Sequence, residues 1–421
     1  EYFLQLKANT DGKTSVPVPP EFRLGTTKLG FIGIPGMISY DPVALVDSGI
    51  YNLVRNPNAD VNTKGWSVSE DVITGYAQVN IDGDVNGHRL TGNFGLQVML
   101  IDQSSKGLAS SGTGAGVVTT EIEEGTSNTY ILPSFNLAYR LQSDLVVRVA
   151  GSRQLAQPRM DDMRASINYN YDPGLAGSTN PAKSPWSGSG GNPYLEPWLA
   201  WAADVSIEKY LNDQGAYVAV AGFYKYLESY IYNQSVFFDF TGFPIPGGPP
   251  PILNIGLVTT PQNGEGGNLY GVELSGNYPF GDSGFGITGN YSYTTSSITP
   301  DPGNPAQPLP GLSKNVAAGT VWFEKWGFTA RTSVRYRSEF LGEIRAFGGG
   351  NERRLAAGEV IVDASIGYDF TEGPLNGLSL QLQGYNLNNE PFWTFVNGDK
   401  RQVQDYETYG RRLIFSALYK F

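Results

Sequence analysis

The sequence predicts an all-β protein of the membrane, a transmembrane antiparallel up-and-down β-barrel with long extracellular loops and short periplasmic turns. Three observations predict this fold class. Apolar and polar residues alternate with a period of two almost to the last residue, aromatic residues collect towards the ends of the apolar faces, and connections alternate between short and long.

The alternation is clearest in the last strand, where Leu413, Phe415 and Tyr419 alternate with Arg412 and Ser416. Successive side chains of a strand point to opposite faces, so each strand has one apolar and one polar face. A soluble sandwich shows the same alternation with its apolar face turned inward. The aromatic residues near strand ends are instead typical of membrane-interface girdles, and full charges on the polar faces suit a water-filled lumen.

The connections separate into two kinds, as they do in outer-membrane barrels, which have short periplasmic turns and long external loops. A sandwich gives no reason for this sorting. The short connections lie near 83–87, 142–144, 212–214, 280–283 and 371–377, and the long ones near 10–70, 104–127, 156–195, 233–266, 299–314, 341–357 and 390–408.

These connections delimit about 14 strands, an even number that places both chain ends on the periplasmic side. No linker between independent domains is visible, so residues 1–421 are treated as one barrel-forming unit. The predicted strands lie near 1–9, 71–82, 88–103, 128–141, 145–155, 196–211, 215–232, 267–279, 284–298, 315–326, 327–340, 358–370, 378–389 and 409–421.

Composition excludes several classes of protein. The 421 residues contain no run of about 18 apolar residues, so the sequence predicts no transmembrane helix. The formal net charge of -11 argues against a nucleic-acid partner and against peripheral binding to anionic lipid surfaces.

The first residues lack a basic segment and an apolar signal core and already resemble a strand. We therefore expect the chain to begin inside a longer precursor.

Several strings follow one another in order over roughly 130–421. They are LPSFNL at Leu132–Leu137, SRQLAQPR at Ser152–Arg159, GNPYLEP at Gly191–Pro197, GVEL at Gly271–Leu274, NLNN at Asn386–Asn389, the pair Gly410-Arg411 and the terminal aromatic Phe421. These strings are similar to strings of the TonB-dependent receptors. The departures are small, such as Gln157 where the family has Arg and Asn388-Asn389 where it has Thr-Asp.

The larger departure is that neither a plug domain nor an energy-coupling box is visible in these residues. The family's barrels have about 22 strands, so this chain resembles the C-terminal part of one. The strings at Gly190–Trp198 and Glu390–Phe421 resemble the branch common in Xanthomonas- and Caulobacter-type bacteria. Some members of that branch import maltodextrins or other plant sugars.

The resemblance implies a protein of the bacterial outer membrane that takes up a small-molecule nutrient with energy delivered by the TonB complex through a plug domain. The nutrient it implies is a carbohydrate such as a maltodextrin or plant oligosaccharide. Iron–siderophore uptake by the same mechanism is the alternative, and a passive outer-membrane channel is another. Outer-membrane lipid and lipopolysaccharide are the expected surroundings.

Two groups of wall residues have expected roles. By the resemblance, Tyr419 and Phe421 serve recognition by the barrel-assembly machinery, although both could simply be girdle residues. The lumen arginines Arg331, Arg335 and Arg337 are expected to face the plug or an anionic substrate. Plug contact is favoured, because a lumen this wide is normally plugged.

Aromatic residues of the external loops are the candidate substrate-binding residues, because rigid scaffolds often present binding side chains on loops. Sugar rings stack on aromatic faces while nearby carboxylates and amides bind hydroxyls. The alternative is packing of the loops on themselves or anchoring at the interface. The candidates are Trp66, Trp186, Tyr194, Phe238, Phe240, Phe243 and Trp393.

The sequence predicts no enzyme, cofactor or metal site. The chain has one histidine, His88, and no cysteine, and the acidic clusters at Asp161-Asp162 and 121–124 are expected on a solvated rim. Asp82–Gly87 copies the opening of a calcium loop, but Asn93 stands where the loop needs Glu, and a tight hairpin turn explains the string better. Gly284–Gly289 satisfies a nucleotide fingerprint but alternates as a strand, whereas the fingerprint must open a helix.

Overall fold

The structure is a computed structural model that describes residues 6–9, 18–30, 33–49, 52–55, 58–299, 308–345 and 351–420. Strands dominate these residues. The α-helices within them are short, α1 (Pro42–Asp47) and α2 (Ala59–Asn62). Over the same ranges, no helix has both the length and the apolar character needed to cross a membrane.

The strands are numbered in chain order over the described residues. They are β1 (Leu6–Asn9), β2 (Arg23–Leu29), β3 (Ile34–Tyr40), β4 (Asn52–Arg55), β5 (Ser67–Val85), β6 (His88–Ser111), β7 (Val118–Gln142), β8 (Leu145–Ala156), β9 (Ile167–Tyr171), β10 (Trp186–Gly190), β11 (Trp198–Tyr210), β12 (Tyr217–Asp239), β13 (Ile255–Pro279), β14 (Phe285–Ser296), β15 (Asn315–Lys325), β16 (Phe328–Arg337), β17 (Phe340–Arg345), β18 (Asn351–Ala356), β19 (Glu359–Asp369), β20 (Leu378–Tyr385), β21 (Phe392–Phe395), β22 (Val403–Glu407) and β23 (Arg412–Tyr419).

One fifteen-stranded sheet forms the barrel wall and its largest extracellular extension. Two of its strands, β9 and β10, belong to a loop, which leaves thirteen wall strands, each antiparallel to the next. This order confirms the predicted all-β, up-and-down barrel. The wall strands follow the order β5, β6, β7, β8, β11, β12, β13, β14, β15, β16, β19, β20 and β23.

The register keeps apolar residues opposite one another around the wall. Val149 lies opposite Val205, Ile287 opposite Val321, and Ile366 opposite Leu382. All six side chains are exposed although they are apolar. A continuous exposed apolar surface marks contact with lipid, so this is the outer face. The alternate positions, which carry the charged and amide side chains, therefore line the lumen.

Aromatic rings form a belt on the outer face beside the short turns. Phe285 and Phe323 have ring centroids 4.6 Å apart, and Tyr368 lies 6.1 Å from Phe328 and 4.7 Å from Phe370. Such belts sit at the membrane interface, where the rings contact both apolar chains and headgroups. The predicted girdle is therefore present at the turn side of the wall.

The short turns have the backbone that their sequences predict. Asn86 and Gly87 have φ values of 53° and 80°, as a two-residue hairpin turn requires, and Asp82 forms an ion pair with Arg89 at 3.0 Å. This backbone agrees with the hairpin interpretation of Asp82–Gly87. Most of Gly284–Gly289 lies within β14, so that string is part of a strand.

Two wall hairpins continue far beyond the membrane. β6 and β7 contain 24 and 25 residues, and β12 and β13 contain 23 and 25. At roughly 3.4 Å per residue such strands are about 80 Å long, well over twice the thickness of the hydrocarbon layer. Much of the predicted loops at 104–127 and 233–266 is therefore strand.

The connection between β8 and β11 fills the space between these hairpins. Within it, β9 pairs in parallel with β6, and β10 pairs in parallel with β13, while β9 and β10 pair with each other. The extracellular sheet that results, with residues 104–127, 157–197 and 229–266, is called the aromatic lobe below. A separate four-stranded sheet of β17, β18, β21 and β22 is called the small lobe.

The N-terminal part differs from the prediction. The predicted first strand over 1–9 was expected in the wall, but Leu6–Asn9 pairs with Asn52–Arg55 in a separate two-stranded ribbon. A second ribbon joins β2 and β3. Alternation alone cannot distinguish a wall strand from such a ribbon, because both have one apolar and one polar face.

Candidate functional site

The core of the aromatic lobe consists of the rings that the sequence offered as substrate contacts. Trp186 and Phe240 stack with centroids 5.0 Å apart and an interplanar angle of 6°, and only 2% and 1% of their surfaces are exposed. Phe238 and Phe243 pack against Phe240 at 5.0 Å and 5.3 Å. These two stacked rings therefore stabilise the lobe and present no face to solvent in this conformation.

Tyr169 completes this core from β9. Its ring centroid lies 5.9 Å from those of both Trp186 and Phe240, and its hydroxyl donates to the Pro244 carbonyl oxygen at 2.7 Å. Burial raises the pKa of Tyr169 to about 12, so the hydroxyl remains a donor at physiological pH. The ring cluster thus joins the connection between β8 and β11 to the β12–β13 hairpin through buried aromatic surface.

The remaining aromatic candidates lie apart from this core. Trp66 is half-buried immediately before β5, and Trp393 is half-buried in the small lobe with its ring 5.5 Å from Phe395. Tyr194 is 53% exposed and donates a hydrogen bond to the Glu124 carboxylate, which raises the pKa of Tyr194. The structure thus places four of the seven candidates in the ring core and the other three in separate places, and Tyr194 is the most accessible of the seven.

The three predicted lumen arginines lie on one face of β16, and Val334 and Tyr336 lie on its opposite, outward face. Arg335 forms an ion pair with Asp363 at 2.9 Å, and Arg331 lies 3.8 Å from Glu324.

Arg337 at the extracellular end donates instead to the Ser313 hydroxyl at 2.6 Å and the Gly311 carbonyl at 2.8 Å. Arg331 and Arg335 are thus charge-compensated within the wall, while Arg337 holds an external loop.

At the other end of the chain, Tyr419 is exposed on the outer face opposite Leu378. This position suits both a girdle residue and a residue accessible to the assembly machinery. Phe421, the other predicted assembly residue, lies outside the described residues.

The acidic clusters have local partners. Glu123 pairs with Lys106 at 2.8 Å, Glu124 accepts from Tyr194, and Asp161 pairs with Arg159 at 3.1 Å. Within the described ranges, no three His, Asp or Glu side chains are grouped so as to hold a metal ion. The single histidine, His88, packs edge-on against Tyr139 at 5.7 Å.

A cavity of about 720 Å³ on the wall was not identified from the sequence. Most of its lining side chains occupy lumen-facing positions of β5 to β8, and glutamines dominate the polar ones: Gln78, Gln97, Gln154 and Gln157. Gln78, Gln97 and Gln154 stand at lumen-facing positions of the alternation, which was the available signal, and Gln157 follows the end of β8. The sequence alone cannot show that three strands bring them together.

The sequence matches the family model described as TonB dependent receptor-like, beta-barrel over residues 9–387. A search of curated proteins gives no match. Three solved structures of similar fold illustrate the likeness. A ferric enterobactin receptor variant from Pseudomonas aeruginosa has a TM-score of 0.53 and 13% identity, covering 92% of this chain and 56% of that one.

The ferric-catecholate import receptor Fiu from Escherichia coli K12 has a TM-score of 0.55 and 14% identity, over 88% of this chain and 46% of that one. The siderophore receptor PiuA from Acinetobacter baumannii has a TM-score of 0.55 and 12% identity, over 88% and 45%. This chain spans about half the length of these receptors. At such identities the likeness is one of fold, and the family match carries the assignment. The chain is a β-barrel of the outer membrane and belongs to the TonB-dependent receptor family.

Proposed function

We propose that this chain forms part of the wall of an active transporter, which takes a carbohydrate such as a maltodextrin or plant oligosaccharide across the outer membrane. The observation that carries the proposal is the family match over residues 9–387 on a barrel with an apolar exterior and a polar lumen. Energy would come from the TonB complex through a plug domain in the lumen, and the wall would be inserted by the barrel-assembly machinery.

The lumen chemistry supports a solute path through the barrel. Several charged side chains on this face are paired, as in Arg148 with Glu208 at 2.7 Å and Arg335 with Asp363 at 2.9 Å. Where charges are paired, the surface is hydrated and has little net charge. A plug or a neutral solute can bind along it by hydrogen bonds. Arg331, Arg335 and Arg337 remain the proposed plug-facing residues.

Fewer aromatic side chains are accessible to a carbohydrate than the sequence suggested. Tyr194 and the half-buried Trp66, Trp393, Phe238 and Phe243 keep the role of substrate contacts in this proposal, and Trp186 and Phe240 would need an opened lobe. The alternative substrate is an iron–siderophore complex, because the fold neighbours named above are siderophore receptors. The passive channel is the remaining alternative for a barrel of this kind.

The test is growth of a strain lacking the gene on single carbon sources and single iron sources, each at limiting concentration. We expect a defect confined to an oligosaccharide, restored by the full gene product only in cells that contain TonB. A defect confined to iron-limited medium would replace the carbohydrate by a siderophore. Restoration that does not need TonB would identify a channel.

A further inference from the structure

The cavity of about 720 Å³ lies where β7 and β8 separate. Their pairing stops at Ser134 opposite Ser152, above which β7 follows β6 upward and β8 continues beside β11 to Ala156. The separation opens the wall below the aromatic lobe. Side chains of four consecutive wall strands therefore surround one space.

The polar lining of this space is rich in neutral groups. Gln78 donates to Asn80 at 2.7 Å and Gln154 donates to the Ser152 hydroxyl at 3.1 Å, which leaves their carbonyl oxygens available. No hydrogen bond joins the side-chain amide of Gln97 to another residue of the described chain. Each amide can both donate and accept, so the lining matches hydroxyl groups, which also do both.

Three buried polar atoms in this part of the wall have no hydrogen-bond partner among the described residues. They are the Gln157 carbonyl oxygen, the Tyr130 hydroxyl and the Trp198 indole nitrogen. Gln157 lines the cavity and directly follows Ala156, which is paired with Trp198, and Tyr130 packs in one cluster with the lining residue Leu132. Of these three residues, Gln157 belongs to the lining, and its side chain adds a fourth glutamine to the polar surface of the cavity.

The only cationic side chain of the lining is Arg153, and its charge is already compensated. Arg153 donates two hydrogen bonds to the Glu228 carboxylate, both at 2.9 Å, and a third to the Ile131 carbonyl at 3.3 Å. Its guanidinium also lies 5.8 Å from the Trp201 ring. An anionic occupant would find no free positive charge among the lining residues, so charge does not favour one.

The same cavity also has an aromatic ring in its lining. Tyr76 lines the cavity from β5, which pairs with β6 on one side and is otherwise an edge of the described sheet, and its ring is 82% exposed there. Met99, Leu132 and Leu155 supply apolar contacts. Neutral hydrogen-bonding groups beside an exposed ring and a few apolar side chains suit a polyhydroxylated ring, with its polar edge and apolar face.

We propose that this cavity is a binding site for a neutral polyhydroxylated solute, one or two sugar rings in length, on the wall of the transport path. The proposal rests on the proposed uptake of a solute through this barrel. Gln97 and Gln154 bind its hydroxyls, Tyr76 stacks on a ring, and the charge of Arg153 in the lining is compensated by Glu228.

The test uses the full gene product, purified in detergent, with maltohexaose as the neutral probe and ferric tris-catecholate as the anionic one. The variants are Gln97→Leu and Gln154→Leu, singly and together. Gln381→Leu is the matched control, because Gln381 faces the lumen from β20, away from the cavity strands. The more conservative Gln97→Glu keeps the acceptor and removes the donor, so it reports on binding if a leucine variant fails to assemble.

We expect maltohexaose to bind, each leucine variant to weaken it about three- to tenfold, and Gln381→Leu to leave it unchanged. Gln97→Glu should weaken it less than Gln97→Leu. Binding that is equal in all variants would overturn the site. A cavity that holds water only, with no maltohexaose binding by the native protein, would overturn it too, and tighter binding of the catecholate through these glutamines would overturn the neutral class. TonB-dependent growth measured in cells reports separately on the proposed function.

Discussion

The aromatic lobe and the small lobe are both built from connections between wall strands, but they are stabilised differently. The aromatic lobe is hydrogen-bonded into the wall sheet through β6, β7, β12 and β13 and has a ring core around Trp186 and Phe240. The small lobe is a separate sheet of strands of 4 to 6 residues, held by Phe395 and the Arg354–Asp405 ion pair.

The two lobes should therefore differ in the free energy needed to open them. A lobe continuous with the wall opens only when wall hydrogen bonds break, whereas a separate sheet with little buried apolar surface opens at a lower free energy. We therefore expect the aromatic lobe to act as a fixed extension of the wall. The small lobe is expected to be the part of the described extracellular structure that moves as solutes enter.

Removal of the Trp186 ring should have the largest effect on the stability of the aromatic lobe. We expect Trp186→Ala to lower the stability of the aromatic lobe by about 3–5 kcal/mol, because it leaves a cavity among Phe240, Tyr169 and Tyr171. Faster hydrogen exchange at the β9 and β10 amides would measure it. Tyr194→Ala is the control, since that ring is exposed in the same lobe. Equal exchange in both variants would mean that the ring core does not hold the lobe.

The ion pair of the small lobe should come next. Arg354 is mostly buried and Asp405 is partly exposed, so we expect Arg354→Ala to cost the small lobe about 1–2 kcal/mol. Hydrogen exchange should increase in β18 and β22 and stay unchanged in β9 and β10, because the lobes share no strand. Arg401→Ala, which removes an exposed pair with Asp399, is the matched control. Exchange that increases in both lobes would show that they are coupled.

The hydrogen bond from Tyr169 separates the contribution of hydrogen bonding from that of ring packing in the aromatic core. Tyr169→Phe keeps the ring and removes the donor to the Pro244 carbonyl, so we expect a loss of about 1 kcal/mol. Hydrogen exchange in β9 should lie between the values of the native protein and Trp186→Ala. A larger effect than that of Trp186→Ala would assign the stability of the lobe to hydrogen bonding and not to ring packing.

The smallest effect is expected at the surface of the small lobe. Lys400 lies 3.1 Å from Glu339, and both side chains are at least half exposed. We expect Lys400→Ala to change stability by under about 0.5 kcal/mol, with the difference lost at high ionic strength. Chemical denaturation followed by hydrogen exchange at low and high salt would measure it. A salt-independent loss above about 1 kcal/mol would contradict the surface assignment.

The wall was predictable because its rule is local. Period-two alternation and turn residues located β8, expected at 145–155 and found at Leu145–Ala156, and β19, expected at 358–370 and found at Glu359–Asp369. The sequence did not predict how far β6 and β13 continue outside the membrane. The extensions pair within their own hairpins, and β9 and β10, from a distant part of the chain, join them over Ala109–Ser110 and Leu257–Thr259.

The candidate site was less predictable for the same reason. An aromatic residue in a long loop satisfies both a binding role and a packing role, and only the partners distinguish the two. Trp186 meets Phe240 across more than 50 residues of sequence, so its burial could not be read locally. The glutamine cavity was missed because Gln97 and Gln154 approach each other only where β7 and β8 separate.

The most direct test of the central claim, energy-coupled uptake through this barrel, is the initial rate of uptake of the radiolabelled solute that the growth test identifies. The rate is measured in cells that express the full gene product, with and without TonB. The account predicts that removal of TonB lowers the rate to that of cells lacking the gene. An unchanged rate without TonB would contradict it.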